Sequence, residues 1–232
     1  RDSKGTAESD HDALRLRFAQ MLAAEGGLTC SFNLTVSSAT LDQVPGVVQW
    51  AQRHPHIVNT VVFILYREPG LMGDFDFYAD GKQVNLQQTY EESAAWAGTR
   101  LLKAADVVAK IREADPSYEP SAYLNGTIDA NSVKWLIGSR IASRAQAFGY
   151  VTPRFMELVQ TGSHLLRRKW LSYSSPKTLG SGRAAMLATS LVDAGMWKVA
   201  SSYLQSVLRK PIAAFAKAYV QTFTIIQPVD AM

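Results

Sequence analysis

Residues Ile57 to Tyr66 form a nearly continuous apolar run that is rich in β-branched side chains. Such a run is typical of a β-strand buried on both faces, an environment found mainly in parallel sheets that are covered by helices. This segment constrains the fold more than any other part of the 232 residues. We therefore expect a parallel α/β arrangement around it.

The preceding residues supply the other elements that a parallel sheet needs. Residues 11–24 predict a helix, and residues 28–37 alternate apolar with small polar side chains and predict a strand. Residues 41–53 predict a second helix with Thr40 as its cap and Pro45 in its first turn, where proline is tolerated. The apolar positions that define the first helix are Leu14, Phe18, Met21 and Leu22.

The order helix, strand, helix, strand is the repeating unit of a parallel sheet or barrel. We expect residues 1–88 to form part of a partial (β/α) barrel, with a loop over residues 67–89. Ligands of such folds bind where the parallel strands end, which here means Thr35 to Ser38 and Tyr66 to Pro69.

The rest of the chain, residues 89–232, predicts a mostly helical region. Pro and Gly residues separate its apolar segments, and no second parallel sheet is evident. The helices are expected within residues 90–112, 131–148, 153–166, 183–208 and 211–220.

Candidate binding residues lie at the predicted strand ends. Asn33 and Thr35 are on the polar side of the first strand, where they could bind a cofactor or serve as structural hydrogen-bonding groups of a barrel interior. Tyr66 and Arg67 lie where the second strand emerges. Arg67 could clamp a carboxylate or phosphate, or it could pair with Glu68.

Metal ligands are sparse. Cys30 is the only cysteine, so an internal disulfide and a cluster ligated by several cysteines of this chain are both excluded. His54 and His56 flank Pro55 without an evident third ligand. The segment with Asp74, Asp76 and Asp80 lacks the ligand pattern of a calcium loop and favours a solvated loop.

The net charge of +4 conceals an asymmetry along the chain. Residues 1–119 carry a net charge of −5, and residues 120–232 carry +9. The basic part could contact an anionic ligand or partner, or it could pack against the acidic part. Nucleic acid is the least favoured partner, because the basic run at 167–169 comes without a nucleic-acid motif. No apolar stretch reaches the length of a membrane span, and one cysteine is compatible with the cytoplasm.

Two groups of segments resemble the radical S-adenosylmethionine (SAM) enzymes. Thr29 to Val36, followed by Leu41-Asp42-Gln43-Val44-Pro45 and by Val61 to Arg67, resembles the late strand–helix–strand units of their partial barrel. Further stretches resemble one subfamily with a helical C-terminal region, and these are Ala122 to Thr127, Lys134 to Leu136, Phe155 to Gln160 and Ile226 to Asp230.

The resemblance implies a cofactor pair, SAM and a [4Fe–4S] cluster. The defining Cys-x-x-x-Cys-x-x-Cys motif of the family, which holds the cluster, is not among these 232 residues. By analogy, Asn33 and Thr35 would contact SAM, and Tyr66 and Arg67 would lie near its adenine.

This resemblance leads to one main hypothesis and one rival. The chain would be a fragment or split part of a radical SAM enzyme, inactive by itself, and completed by an N-terminal half that carries the cluster motif. Alternatively, it would be a non-catalytic α/β binding protein that uses the C-terminal region as an interaction surface. The substrate does not follow from either hypothesis.

Overall fold

The computed structural model describes residues 7–66, 76–84, 102–124, 134–167, 191–209 and 218–228. Its α-helices are α1 (Asp12–Glu25), α2 (Val44–Arg53), α3 (Ala104–Ala114), α4 (Pro153–Arg167) and α5 (Ala194–Arg209). Short 3-10 turns, Glu8–His11 and Leu41–Gln43, precede α1 and α2.

Eight strands are present in the described residues. They are β1 (Ser31–Val36), β2 (Thr60–Leu65), β3 (Phe77–Ala79), β4 (Lys82–Val84), β5 (Ala122–Leu124), β6 (Lys134–Ala142), β7 (Ala147–Tyr150) and β8 (Tyr219–Gln227). Six of them form one mixed sheet in the order β1-β2-β8-β6-β5, with β7 also paired to β6. Strands β3 and β4 form a separate hairpin.

Parallel and antiparallel pairing meet at β8. β1, β2 and β8 run parallel, with Leu34 opposite Phe63 and Phe63 opposite Ile225. β6 runs antiparallel to β8 over nine residue pairs, from Lys134 opposite Gln227 to Ala142 opposite Tyr219. The predicted α/β class is therefore confirmed, as a sheet of mixed direction.

Helices α2 and α3 cover one face of this sheet. Their buried side chains meet the alternate residues of β1, β2 and β8 that point the same way, including Leu34, Phe63 and Phe223. Burying a side chain as large as that of Phe63, which is fully buried, is worth about 1.5–3 kcal/mol. The side chains of α2 and α3 in this core are Val44, Val47, Val48, Trp50, Ala51, Ala104, Val107 and Ile111.

A second, smaller apolar cluster joins the far end of the sheet to α4 and α5. Ile141 of β6 and Phe148 of β7 pack there with side chains of the two helices, and the Phe148 and Tyr203 rings meet edge to face. The helix residues in the cluster are Phe155, Met196, Val199, Tyr203 and Val207.

The elements predicted within residues 11–66 are confirmed. Helices α1 and α2 and strands β1 and β2 all occur. In α1, however, Leu14, Phe18 and Met21 are about half exposed, while Ala19 is buried. The helix boundary was predictable, but the small side chain of Ala19 gave no signal of which face would be inward.

The predicted helix over residues 131–148 is wrong, because strands β6 and β7 occupy most of that segment. A short apolar run does not distinguish a helical period from a strand period. The pairing of β6 with its neighbours β5 and β7 and with the distant strand β8 decides the outcome. The glycine at 138 was the available signal, since a glycine inside a strand often marks a close approach. A Cβ there would lie 2.5 Å from Cε2 of Tyr118.

Three other predictions change in detail. The loop predicted over residues 67–89 contains the β3–β4 hairpin, which turns at Asp80-Gly81 with positive φ at both residues. The helix predicted within residues 183–208 is confirmed in its later part as α5, while residues 183–190 lie outside the described residues. The end of the helix predicted over 211–220 belongs to β8, while residues 211–217 lie outside the described residues.

The predicted helix over 153–166 is confirmed as α4, and that over 90–112 is confirmed in its later part as α3. The predicted boundary between residues 88 and 89 lies outside the described residues, although strands from both sides of it share one sheet. Among the described helices, none combines the length and apolar character that a membrane span requires.

Candidate functional site

The parallel strands β1, β2 and β8 end at Val36, Leu65 and Gln227, along one edge of the sheet. We call this the C-terminal edge. Ligands of parallel α/β folds bind at such an edge.

Asn33 and Thr35 point away from α2 and α3. In the sheet register they lie opposite Val62 and Ile64, whereas the alternate residues Leu34 and Val36 face the helices. Both polar side chains are exposed, and neither has a hydrogen-bond partner within the described residues. The alternation of apolar and polar residues in β1 is therefore confirmed, and it leaves an amide and a hydroxyl available side by side.

The turn after β1 is held by hydrogen bonds around Thr40. Its hydroxyl accepts a bond from the Ser37 amide at 2.9 Å and donates to the Thr35 carbonyl at 3.1 Å. The amides of Thr40 and Leu41 in turn donate to the Ser37 carbonyl. These contacts fix the backbone beside Thr35, and they replace the expected bond from the Thr40 side chain into the helix.

Tyr66 directly follows β2 and lies beside the end of β1. Its amide donates to the Val36 carbonyl at 2.8 Å, so the pairing of the two strands continues one residue past β2. The structure thus brings Asn33, Thr35 and Tyr66 to the same end of two neighbouring strands. Arg67 and Glu68 lie outside the described residues.

The residues present do not fit an iron–sulfur cluster. A [4Fe–4S] cluster that binds SAM needs three thiolates from its motif, and the chain has Cys30 alone. Cys30 is 3% exposed, and burial raises the pKa of its thiol, which favours the neutral form. Cys30 is therefore a core residue, and no chemical step is assigned to a cluster held by this chain.

The other candidate metal ligands have different contacts. The Nδ1 atom of His54 lies 2.8 Å from the Trp50 carbonyl, and Asp76 accepts a hydrogen bond from Gln83. Among the described residues, no group of three His, Cys, Asp or Glu side chains is arranged to hold a metal ion. Asp74 lies outside them.

A buried polar network at the opposite edge of the sheet was not predicted. We call this the N-terminal edge, since β2 and β8 begin there. Oδ2 of Asp115 accepts hydrogen bonds from Gln52 at 2.7 Å and Tyr150 at 3.0 Å, and it lies 3.8 Å from Nε of Arg140. Arg140 also donates to Gln221 at 3.3 Å.

Gln221 connects this network to the backbone. It is fully buried, and its amide nitrogen lies 2.8 Å from the Ala51 carbonyl and 2.9 Å from the Val58 carbonyl. The end of α2 and the start of β2 are thereby tied to β8. The members of the network lie on five separate segments, so no local sequence pattern could have revealed it.

Burial is the main cause of the pKa shifts at this edge. It lowers the pKa of the Arg140 guanidinium and raises the pKa of Tyr150 well above its ordinary value. The nearby carboxylate of Asp115 raises the pKa of Tyr150 further, so its hydroxyl stays protonated and donates to that carboxylate. Desolvation also lowers the pKa of the neighbouring His56, with help from the charge of Arg144.

Comparisons of the chain with protein-family models, with curated proteins and with solved structures find no match. Any assignment of function therefore depends on the residues and their arrangement.

Proposed function

We propose that this chain forms the later part of a radical SAM partial barrel and contributes side chains that contact SAM. The observation that supports it best is the placement of Asn33 and Thr35 on the sheet face away from α2 and α3. In a (β/α) barrel the helices lie outside, so this face would be the interior. Amide and hydroxyl groups there suit the hydroxyls of a ribose and the edge of an adenine.

The free edge of the sheet supports the same proposal. Within the described residues β1 pairs with β2 only and ends the sheet. An unpaired strand edge readily accepts another strand. A preceding barrel strand from an N-terminal half would hydrogen-bond at this position.

An apolar stripe on α1 is also compatible with a further layer. Leu14, Phe18 and Met21 lie at positions i, i+4 and i+7, and each is about half exposed. Because α1 precedes the edge strand β1, a helix that arrives with an additional strand would cover this stripe. The partner would then supply the three cysteines that this chain lacks.

The first test is to sequence the DNA on both sides of the coding region. The proposal expects a reading frame with Cys-x-x-x-Cys-x-x-Cys upstream, in the same or an adjacent frame. If neither frame holds the motif, the partner postulated here has no source in this locus and the proposal fails.

The second test uses both pieces. The chain is expressed together with the motif-bearing segment, reconstituted anaerobically with iron and sulfide, and supplied with SAM and a reductant. We expect the pieces to copurify and 5′-deoxyadenosine to form only when both are present. Copurification without any effect of this chain on SAM cleavage would favour the rival interaction protein.

Matched substitutions in β1 test the assigned residues. The double change Asn33→Ala and Thr35→Ala should weaken SAM binding by the assembled pieces about tenfold or more, which is the effect of losing one or two net hydrogen bonds. Ser31→Ala is the control, because Ser31 is exposed on the same face of β1 but at its far end. Equal loss in both variants would remove the assigned role of Asn33 and Thr35.

A further inference from the structure

A cleft of about 380 Å³ opens at the N-terminal edge of the sheet. It lies between the end of α2, which contributes Gln49, Gln52 and Arg53, and the end of β6 with the following turn, which contributes Arg140, Arg144 and Gln146. Asn33 and Thr35 belong to the other sheet face and lie toward the other edge, so this cleft is separate from the site proposed for SAM.

The described residues that line the cleft carry positive charge and no acidic group. Arg53 and Arg144 are exposed, and within the described residues neither forms an ion pair or hydrogen bond through its side chain. The one carboxylate of the adjoining network, Asp115, already accepts bonds from Gln52 and Tyr150. The cleft is therefore lined by three guanidinium groups, of which Arg140 alone lies near a carboxylate, that of Asp115.

Arg140 is the unusual member of this group. Its side chain is only 9% exposed, and Nε is buried without a hydrogen-bond partner in the described residues. A guanidinium carries five N–H donors, and the one bond found for Arg140 is the 3.3 Å bond to Gln221. A buried charged group with so many unused donors is costly unless an acceptor completes its surroundings.

We propose that this cleft binds a small molecule that carries a phosphate group, held by Arg53, Arg140 and Arg144. Guanidinium groups match the oxygens of phosphate in paired hydrogen bonds, and a phosphate ester brings up to two negative charges to the three cations. The volume exceeds that of one phosphate and falls within the range of small-ligand sites. Gln49, Gln52 and Gln146 would bind the polar remainder of the molecule.

The proposal is tested by calorimetric titration of the full chain with ribose 5-phosphate, inorganic phosphate, ribose and citrate, all at one ionic strength. Binding of ribose 5-phosphate and not of ribose is expected. Inorganic phosphate binding equally well would assign the affinity to the phosphate group alone, which also supports the site. The proposal is overturned if citrate binds as tightly as ribose 5-phosphate. It is also overturned if no phosphate compound binds at 10 mM, which is about the weakest affinity that would matter at cellular concentrations.

Substitutions separate the cleft from general charge effects. Arg53→Gln with Arg144→Gln removes two exposed guanidinium groups, so the fold should persist, and the affinity for ribose 5-phosphate should fall about tenfold or more. Arg17→Gln removes an equally exposed guanidinium from α1 and should leave the affinity unchanged. The proposal is overturned if both variants lose the same affinity, or if a single-stranded RNA oligomer binds more tightly than ribose 5-phosphate and responds to the same double change.

Discussion

The two edges of the parallel strands differ in how their polar groups are used. At the N-terminal edge, Tyr150, Arg140 and Gln221 are buried, the side chain of Asp115 is only 12% exposed, and the four residues contact one another. On β1 toward the C-terminal edge, Asn33 and Thr35 are exposed, and within the described residues their side chains bond to nothing. Buried polar groups must find partners in the protein, whereas exposed ones remain available to a ligand.

This difference determines how much each group of side chains contributes to the free energy of unfolding. Removing one member of the buried network leaves another without its partner, in surroundings where water does not replace it. Removing an exposed side chain of β1 costs the folded chain almost nothing. Substitutions at the two edges should therefore differ in their effect on the free energy of unfolding, and the following measurements test that difference.

The largest effect is expected for Asp115→Ala. The change removes the acceptor of Gln52 and Tyr150 and the only carboxylate within 4.0 Å of Arg140 in the described residues. Loss of one partner of a buried ion pair typically lowers the free energy of unfolding by about 3–5 kcal/mol. Urea denaturation followed by circular dichroism measures the change.

Asp42→Ala is the control for that experiment. Asp42 pairs with Lys110 at 2.7 Å, but its side chain is 84% exposed. An exposed ion pair is worth about 0–1 kcal/mol, so the variant should unfold close to the wild type. Similar losses in both variants would contradict the role assigned to burial at the N-terminal edge.

A smaller effect is expected for Gly138→Ala, which tests the packing beside the network. The new Cβ would lie 2.5 Å from the Tyr118 ring, and such overpacking costs about 1–3 kcal/mol. Gly162→Ala adds the same atom inside α4, where nothing beyond the neighbouring backbone of the helix itself lies within 4 Å, and it should stabilise the chain by about 0.5–1 kcal/mol. Thermal unfolding of both variants should therefore show shifts of opposite sign.

The sequence predicted the elements up to residue 66 because their patterns are local. The alternation in β1 and the buried face of α2 follow from the spacing of side chains within each element. β8 and β6 pair with partners far away in the chain, and their short apolar runs match a helix as well as a strand. Their assignment needs the contacts that only the folded sheet supplies.

The same reason explains what could be predicted of the candidate sites. The exposed position of Asn33 and Thr35 was predictable from the alternation within β1, whereas their role in binding stays a prediction. In the sequence, Asp115 is the residue before a proline, and Arg140 is one charged residue in an apolar run. Neither position indicated that the fold would bring Nε of Arg140 within 3.8 Å of Oδ2 of Asp115.

A modest, pH-dependent effect on stability is expected when His56 at the N-terminal edge is replaced. Burial and the charges of Arg144 and His54 lower its pKa below the ordinary value near 6.5. In the pH range between the two values the unfolded chain binds the extra proton, so the folded state loses stability as the pH falls below about 6.5. His56→Gln should flatten the dependence of the melting temperature on pH in that range, and an unchanged slope in this variant would contradict the assignment to His56.

The smallest effect on stability is expected for Asn33→Ala and Thr35→Ala. Both side chains are exposed, and the hydroxyl that holds the following turn belongs to Thr40, which bonds to the Thr35 backbone. Each change should therefore alter the free energy of unfolding by no more than about 0.5 kcal/mol, as is usual for surface positions. Urea denaturation measures it, with Thr40→Val as the comparison, since that change removes the acceptor of the Ser37 amide and should cost about 0.5–1.5 kcal/mol. If either β1 variant lowers the free energy of unfolding by more than about 1 kcal/mol, which exceeds the usual range for surface positions, these side chains support the fold. The contrast between the two edges would then disappear.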